Sequence, residues 1–329
     1  MTGKPSTSVV VGATGYLGGH ICQKLSEELE TVHAFGRRQW EVESSAPSNQ
    51  IHYTGDVCDV NTIETIIGVD PDNIVYCVSL DQHESEVDIE RALKVNVNAL
   101  WTLANRLDQE IKKPIRFVYL STAQAYGILN GEITEALMPR PRTAYGLTHL
   151  MCEQVLARYA DRGVLEPVSV RLSNGYGPPT SDNAACWQLV MNDFCRSILE
   201  KKRIQLSSDG TPQRDFVYVG DVAKAINKLL AIPAGALMPV YNLASGNTKT
   251  VLELAMEVKN VFFERSGYDC PIVLGDGEIV VEERELVKPK VGRQFAFDVS
   301  AIRNLGLSME VSLPVGASKL FDFLEGRNQ

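Results

Sequence analysis

The chain of 329 residues is 44% hydrophobic and 22% charged, with a formal charge of −9. That length supports a sizeable buried core, and the composition excludes a disordered chain. The acidic balance argues against nucleic acid or an anionic membrane surface as the main partner, and no apolar run reaches the length of a membrane span.

Residues 8–12, SVVVG, read as a short buried strand. GATGYLGGHICQKLSEEL reads as the helix that follows it. TVHAF, IHYTGDV, NIVYCVS and IRFVYLS are further strands, with a helical stretch at TIETIIGV and a long one from Glu86 to Glu110. A helix carrying Tyr145 and His149 precedes a sixth strand, VSVRLSN. Short β-branched runs alternating with helical ones predict βαβ units, hence an α/β fold with a doubly wound, mainly parallel sheet. Residues 1–175 are expected to form this domain. Residues 176–329 are expected to be mainly a smaller C-terminal substrate-binding lobe, with parts of 212–245 returning to the first domain.

Seven cysteines, none in a CxxC pair, read as reduced thiols of a cytoplasmic protein. The sequence enters its first strand with no signal-peptide core. No metal site is expected, because the histidines share no motif and no ligand set completes a shell around His149 and Cys152. The acidic run Glu282–Glu285 reads as a solvated face.

GATGYLG, Gly12 to Gly18, fits GxxGxxG between a strand and a helix. Gly12 allows the tight turn, Gly15 the approach of a pyrophosphate and Gly18 close packing of helix on strand. Thr14, Tyr16 and Leu17 complete the loop, which would bind a dinucleotide at the helix N-terminus. The second strand ends in Phe35-Gly36-Arg37-Arg38, two arginines where an acid for ribose hydroxyls is usual. This pattern favours NADP over NAD, through pairing with a 2′-phosphate. Asp56 would accept from the adenine amine.

Taken together, these residues resemble an extended short-chain dehydrogenase/reductase of the NAD-dependent epimerase/dehydratase family, with its Rossmann domain, over nearly the whole chain. The motifs behind the resemblance are the glycine loop, Asp56-Val57 and Asn96 in KVNVNALWTL. STAQAYG follows, with Thr122 at the family's catalytic hydroxyl, then Tyr145 of YxxxK, RLSNGYGP, QRDFVYVGDV and Phe297-Asp298-Val299-Ser300. The resemblance implies hydride transfer with Tyr145 as acid/base, Thr122 holding the reacting oxygen, and Tyr145 and His149 beside the nicotinamide ribose. It adds Val57, Val78, Ser79 and Asn96 to the cofactor contacts. It implies Ser79, Thr122, Gln124, Asn174, Tyr176 and Arg214 on the substrate side, with Arg214 pairing a nucleotide diphosphate.

Two departures shape the expectation. His149 stands where the family has lysine, and Ala123-Gln124 stands where its dehydratases carry Asp-Glu. Alanine and glutamine supply no titratable proton for removing water. The expected activity is therefore NADP-dependent reduction of a keto group on a nucleotide-linked sugar. A nucleotide-sugar epimerase stands second, and a catalytically weak NAD(P)-binding sensor or structural protein third. A homodimer built on the 86–110 and 143–162 helices is a further expectation from the resemblance.

Overall fold

The computed structural model describes residues 6–28, 31–39, 47–181, 184–233, 235–275, 279–280 and 294–326. The acidic run at 282–285 lies outside the described residues. In chain order the elements are β1 (Thr7–Val11), α1 (Tyr16–Glu27), β2 (Thr31–Gly36), β3 (Gln50–Thr54), α2 (Val60–Gly68), β4 (Asn73–Tyr76), α3 (Gln82–Val87) and α4 (Ile89–Ala92). A π-helical turn (Leu93–Asn98) leads into α5 (Ala99–Glu110), followed by β5 (Ile115–Thr122), a 3₁₀ turn (Ala123–Tyr126), β6 (Gly131–Ile133) and α6 (Ala144–Ala160). Then come β7 (Leu165–Leu172), β8 (Asn174–Tyr176), α7 (Val190–Lys201), β9 (Ile204–Leu206), β10 (Gln213–Tyr218) and α8 (Val219–Ala231). The chain closes with β11 (Val240–Leu243), β12 (Thr248–Thr250), α9 (Val251–Ser266), β13 (Ile272–Leu274), β14 (Ile279–Val280), β15 (Phe295–Phe297), α10 (Ser300–Asn304) and α11 (Leu313–Gly326).

Seven strands form one parallel sheet in the order β11-β7-β5-β4-β1-β2-β3. The order reverses beside β1, the place where open α/β sheets bind ligands at the strand C-termini. Alternation along β1 sends Val10 to one face and Val9 and Val11 to the other. Val10 packs with Ile21 and Leu25 of α1 and Ile226 of α8, whereas Val9 and Val11 pack with Ile66 of α2, Leu100 of α5 and Leu156 of α6. The sheet is thus covered on both faces, which is why its strands read as continuous apolar runs. A third core joins α7, α9 and α11 through Ile198, Val258 and Phe321. Beside it lie the small sheets β12-β10-β8 and β14-β13-β9.

The stretch 86–110, expected as one long helix, is broken. Asp81 caps α3 in a capping box with Glu84, and Asp88 caps α4 by accepting from the Arg91 N–H at 2.9 Å. Each carboxylate satisfies an orphan N–H that starts a new helix.

Candidate active site

Two adjoining clefts open at the C-terminal edge of the large sheet. The first, about 160 Å³, is lined by Gly12, Thr14, Gly15, Arg37, Arg38, Asp56, Val57, Val78 and Ser79 among others. Gly12 sits at φ +93°, and a Cβ there would lie 3.0 Å from the Val78 side chain. A Cβ on Gly18 would lie 2.2 Å from the Gly12 carbonyl oxygen, so this glycine lets α1 close onto the loop. Gly36 makes room for Thr14, whose methyl would meet a Cβ at 2.3 Å. The N-terminus of α1 has no side-chain cap and no acid in its first turn. Its free N–H groups and positive dipole end therefore suit a diphosphate. Asp56 turns one carboxylate oxygen to the Cys58 N–H at 2.9 Å. The residues present fit a dinucleotide.

The second cleft, about 890 Å³, holds Thr122, Gln124, Tyr145, Asn174, Tyr176 and Arg214. Thr122 ends β5 and caps the following 3₁₀ turn, accepting from the Gln124 N–H at 3.2 Å. Tyr145 opens α6, whose cap is Thr143. Burial raises the Tyr145 pKa, a hydrogen bond with the Ser79 side chain lowers it, and the Asp81 charge raises it further. Ser79 lines the first cleft and Tyr145 the second, so the two clefts meet at the phenol. Gln124 is tied at both ends of its amide, donating to Gln82 Oε1 at 2.9 Å and accepting from Thr143 Oγ1 at 3.0 Å. Arg214 is exposed and donates to its neighbour's carbonyl, at Gln213 O, at 2.8 Å.

Several expected contacts fall elsewhere. Tyr16 and Leu17 line the second cleft rather than the first, with the Tyr16 hydroxyl donating to Gly177 O at 2.7 Å. Gly18, Asn96 and His149 line neither cleft. Asn96 is fully buried, accepting from the Leu80 N–H at 2.7 Å and donating to Thr148 Oγ1 at 3.0 Å and Ser85 Oγ at 3.3 Å. Its amide is spent on pinning the segment after β4 to α6. His149 is 2% exposed, and its Nδ1–H donates to the Tyr145 carbonyl at 2.8 Å. Burial pushes its pKa down to about 4, so the imidazole is neutral at neutral pH.

The sequence reading missed Asp81, Gln82 and His83, which line the second cleft from the start of α3. Phe295 and Phe297 also line it and were passed over as site residues, although 297 lies in a quoted motif. Beneath the site, Asp215 is fully buried and accepts from Ser173 Oγ at 2.7 Å, the Ser245 N–H at 2.9 Å, Ser245 Oγ at 2.8 Å and the Asn247 N–H at 3.1 Å. It latches β10, and with it Arg214, to the ends of β7 and β11. Among the described residues no group of three or more His, Cys, Asp or Glu is placed to hold a metal ion, and no helix is long and apolar enough to cross a membrane.

Residues 8–244 match the model of the NAD dependent epimerase/dehydratase family, and the chain belongs to that family of enzymes. Among its relatives is the dTDP-L-rhamnose 4-epimerase of Burkholderia thailandensis, 34% identical over 187 residues, which are 55% of this chain and 46% of that protein. The fold is similar to the UDP-glucose 4-epimerase of Thermotoga maritima with UDP-glucose, at TM-score 0.81 and 22% identity over 98% of this chain and 100% of that one. It is also similar to the UDP-glucuronic acid 4-epimerase of Bacillus cereus with UDP-glucuronic acid and NAD, at TM-score 0.79 and 20% identity, covering 98% and 99%.

Proposed function

We propose that the protein interconverts epimers of a nucleotide-linked sugar through a transient keto sugar. The observation that carries this reading is the meeting of the two clefts at Tyr145, with Ser79 on one side and Thr122 on the other. The relatives and solved neighbours whose names give an activity include several sugar-nucleotide epimerases. They favour epimerisation over the keto reduction that the sequence put first, and NAD over NADP.

When bound, the dinucleotide supplies the hydride acceptor and donor. The residues of this chain do the rest. The glycine loop and the first turn of α1 hold the diphosphate, and Asp56 holds the adenine end. Tyr145 takes the proton of a sugar hydroxyl as it is oxidised and returns it when the ketone is reduced. Thr122 donates to the same oxygen and stabilises charge there. Arg214 pairs with the sugar-nucleotide diphosphate. The second cleft is wide enough for a ketone to turn and present its other face. Ala123 and the tied Gln124 offer no acid–base pair for loss of water, which speaks against a dehydratase.

The seven cysteines are free thiols, consistent with a reducing, cytoplasmic setting. The helices from α3 to α6 expose Val87, Ile89, Leu93, Trp101 and Leu147. We assign this surface to a homodimer, and Trp101→Glu is expected to release monomers in sedimentation.

The test incubates purified protein with a panel of UDP- and dTDP-sugars and NAD, and in a parallel arm with keto-sugar nucleotides and NADH or NADPH, following products by NMR. Epimer formation without net cofactor turnover supports the reading. Stoichiometric consumption of reduced cofactor, with a keto-sugar substrate, would install the reductase in its place.

A further inference from the structure

We propose that His149 is a neutral positioning residue: it fixes the backbone and ring of Tyr145 and brings no positive charge to the phenol, so that Tyr145 keeps its proton in the ligand-free protein. This rests on the reading of Tyr145 as the acid–base group and says how that group is poised.

The geometry is a three-way anchor. The Tyr145 carbonyl accepts from the His149 Nδ1–H at 2.8 Å and from Thr148 Oγ1 at 3.0 Å. Thr148 Oγ1 in turn accepts from Asn96 Nδ2 at 3.0 Å. The carbonyl can only accept, so Nδ1 carries a proton, and in the neutral ring Nε2 is then the bare nitrogen. The imidazole lies with its centroid 4.2 Å from the Tyr145 ring and 5.9 Å from the Tyr119 ring. Two aromatic walls and near-complete burial leave an imidazolium poorly solvated, and among the described residues no carboxylate bonds to this ring.

Among the described residues no cation is placed against the pair. Facing the phenol are the Ser79 hydroxyl from the segment after β4 and the Asp81 carboxylate from the start of α3. Facing the imidazole is Tyr119 from β5, and Cys152, one turn on in α6, bonds to that phenol and to Asn96 O. Burial holds the phenol of Tyr119 well above its usual range and pushes the thiol of Cys152 up to about 12. Glu153, next along α6, is committed to Arg171 and to the Ser121 hydroxyl. Burial lowers the His149 pKa and outweighs the bond to the Tyr145 carbonyl, which raises it; burial likewise raises the Tyr145 pKa against the Ser79 bond. Lysine at this place would bring a cation; this chain has a hydrogen-bonded wall.

The experiment uses the full ligand-free chain. Nitrogen NMR of the imidazoles, with His149 assigned through His149→Phe, is expected to show a neutral ring protonated on Nδ1, unchanged from alkaline pH down to about pH 5. The tyrosinate absorbance of wild type minus Tyr145→Phe is expected to stay silent until above about pH 10, the range of a free phenol. His149→Lys should bring that titration down by at least about one pH unit, and His149→Phe should not. A His149 ring that titrates near about pH 6.5, or a lysine variant that folds and leaves the Tyr145 titration in place, would overturn the proposal. Loss of the acid–base reading is seen separately, as full turnover by Tyr145→Phe, and leaves the NMR result standing.

Discussion

Arg171 of β7 and Glu153 of α6 form a two-pronged ion pair in the core, Nη2 to Oε2 at 2.6 Å and Nε to Oε1 at 3.0 Å, with both side chains 4% exposed. The guanidinium also lies over the Tyr126 ring at 4.5 Å, and Glu153 accepts from Ser121 Oγ at 2.6 Å. The pair ties α6, which carries Tyr145, to β7, and the Ser121 bond to the same carboxylate ties α6 to β5, which carries Thr122. Removing one partner strands a buried charge. Glu153→Ala is expected to cost about 3–5 kcal/mol in denaturant unfolding. A cost below about 1 kcal/mol would mean that the fork is not holding these elements together.

Gly18 tests the cofactor cleft. A methyl group there meets backbone, not a flexible side chain, so α1 must move off the loop. Gly18→Ala is expected to weaken dinucleotide binding by about tenfold or more, measured by calorimetry. Unchanged affinity would separate the loop from cofactor binding.

Arg37 and Arg38 are exposed and line the same cleft at the end of β2. Replacing both by alanine is expected to leave NAD affinity, measured by calorimetry, within about threefold, because NAD carries no 2′-phosphate for guanidinium groups to pair. A loss of about tenfold would place the arginines on the diphosphate.

The buried imidazole also makes a pH prediction for stability. The folded pKa of His149 is about 4 against an ordinary 6.5, so the unfolded chain binds the extra proton between those values. Its contribution is present above about pH 6.5 and is lost as pH falls toward 4, by roughly 3 kcal/mol in all. His149→Phe should flatten that part of the stability profile. A wild-type profile of the same slope as the variant's would show that the histidine is free to charge.

The fold class was legible because strands buried on both faces leave continuous runs such as SVVVG and IRFVYLS, and because GATGYLG needs glycine for reasons that the contacts at Gly12 and Gly18 make plain. The break in the 86–110 helix was not, since Asp81 and Asp88 look like ordinary surface acids until their carboxylates are seen to cap new helices. Asn96 was read as a ligand contact, yet its amide is used up inside the protein, a matter of orientation set by the π turn that carries it. Asp81, Gln82 and His83 carry no motif. Only the fold shows that Gln82 meets Gln124, 42 positions away, at the mouth of the second cleft. The departure at His149 was visible in the sequence. Its meaning depended on which atom held Nδ1, and that is a backbone carbonyl one helical turn back.

The account stands on the phenol of Tyr145 exchanging a proton with a sugar oxygen while hydride moves at the adjoining cleft. The direct measurement mixes the NAD-loaded protein with a turned-over sugar nucleotide and follows reduced-nicotinamide absorbance in a single turnover, in wild type and in Tyr145→Phe. A transient rise in the wild type, slowed by about 100-fold or more in the variant at unchanged sugar-nucleotide affinity, is the predicted result. A variant that reaches the same transient at the wild-type rate would contradict the account.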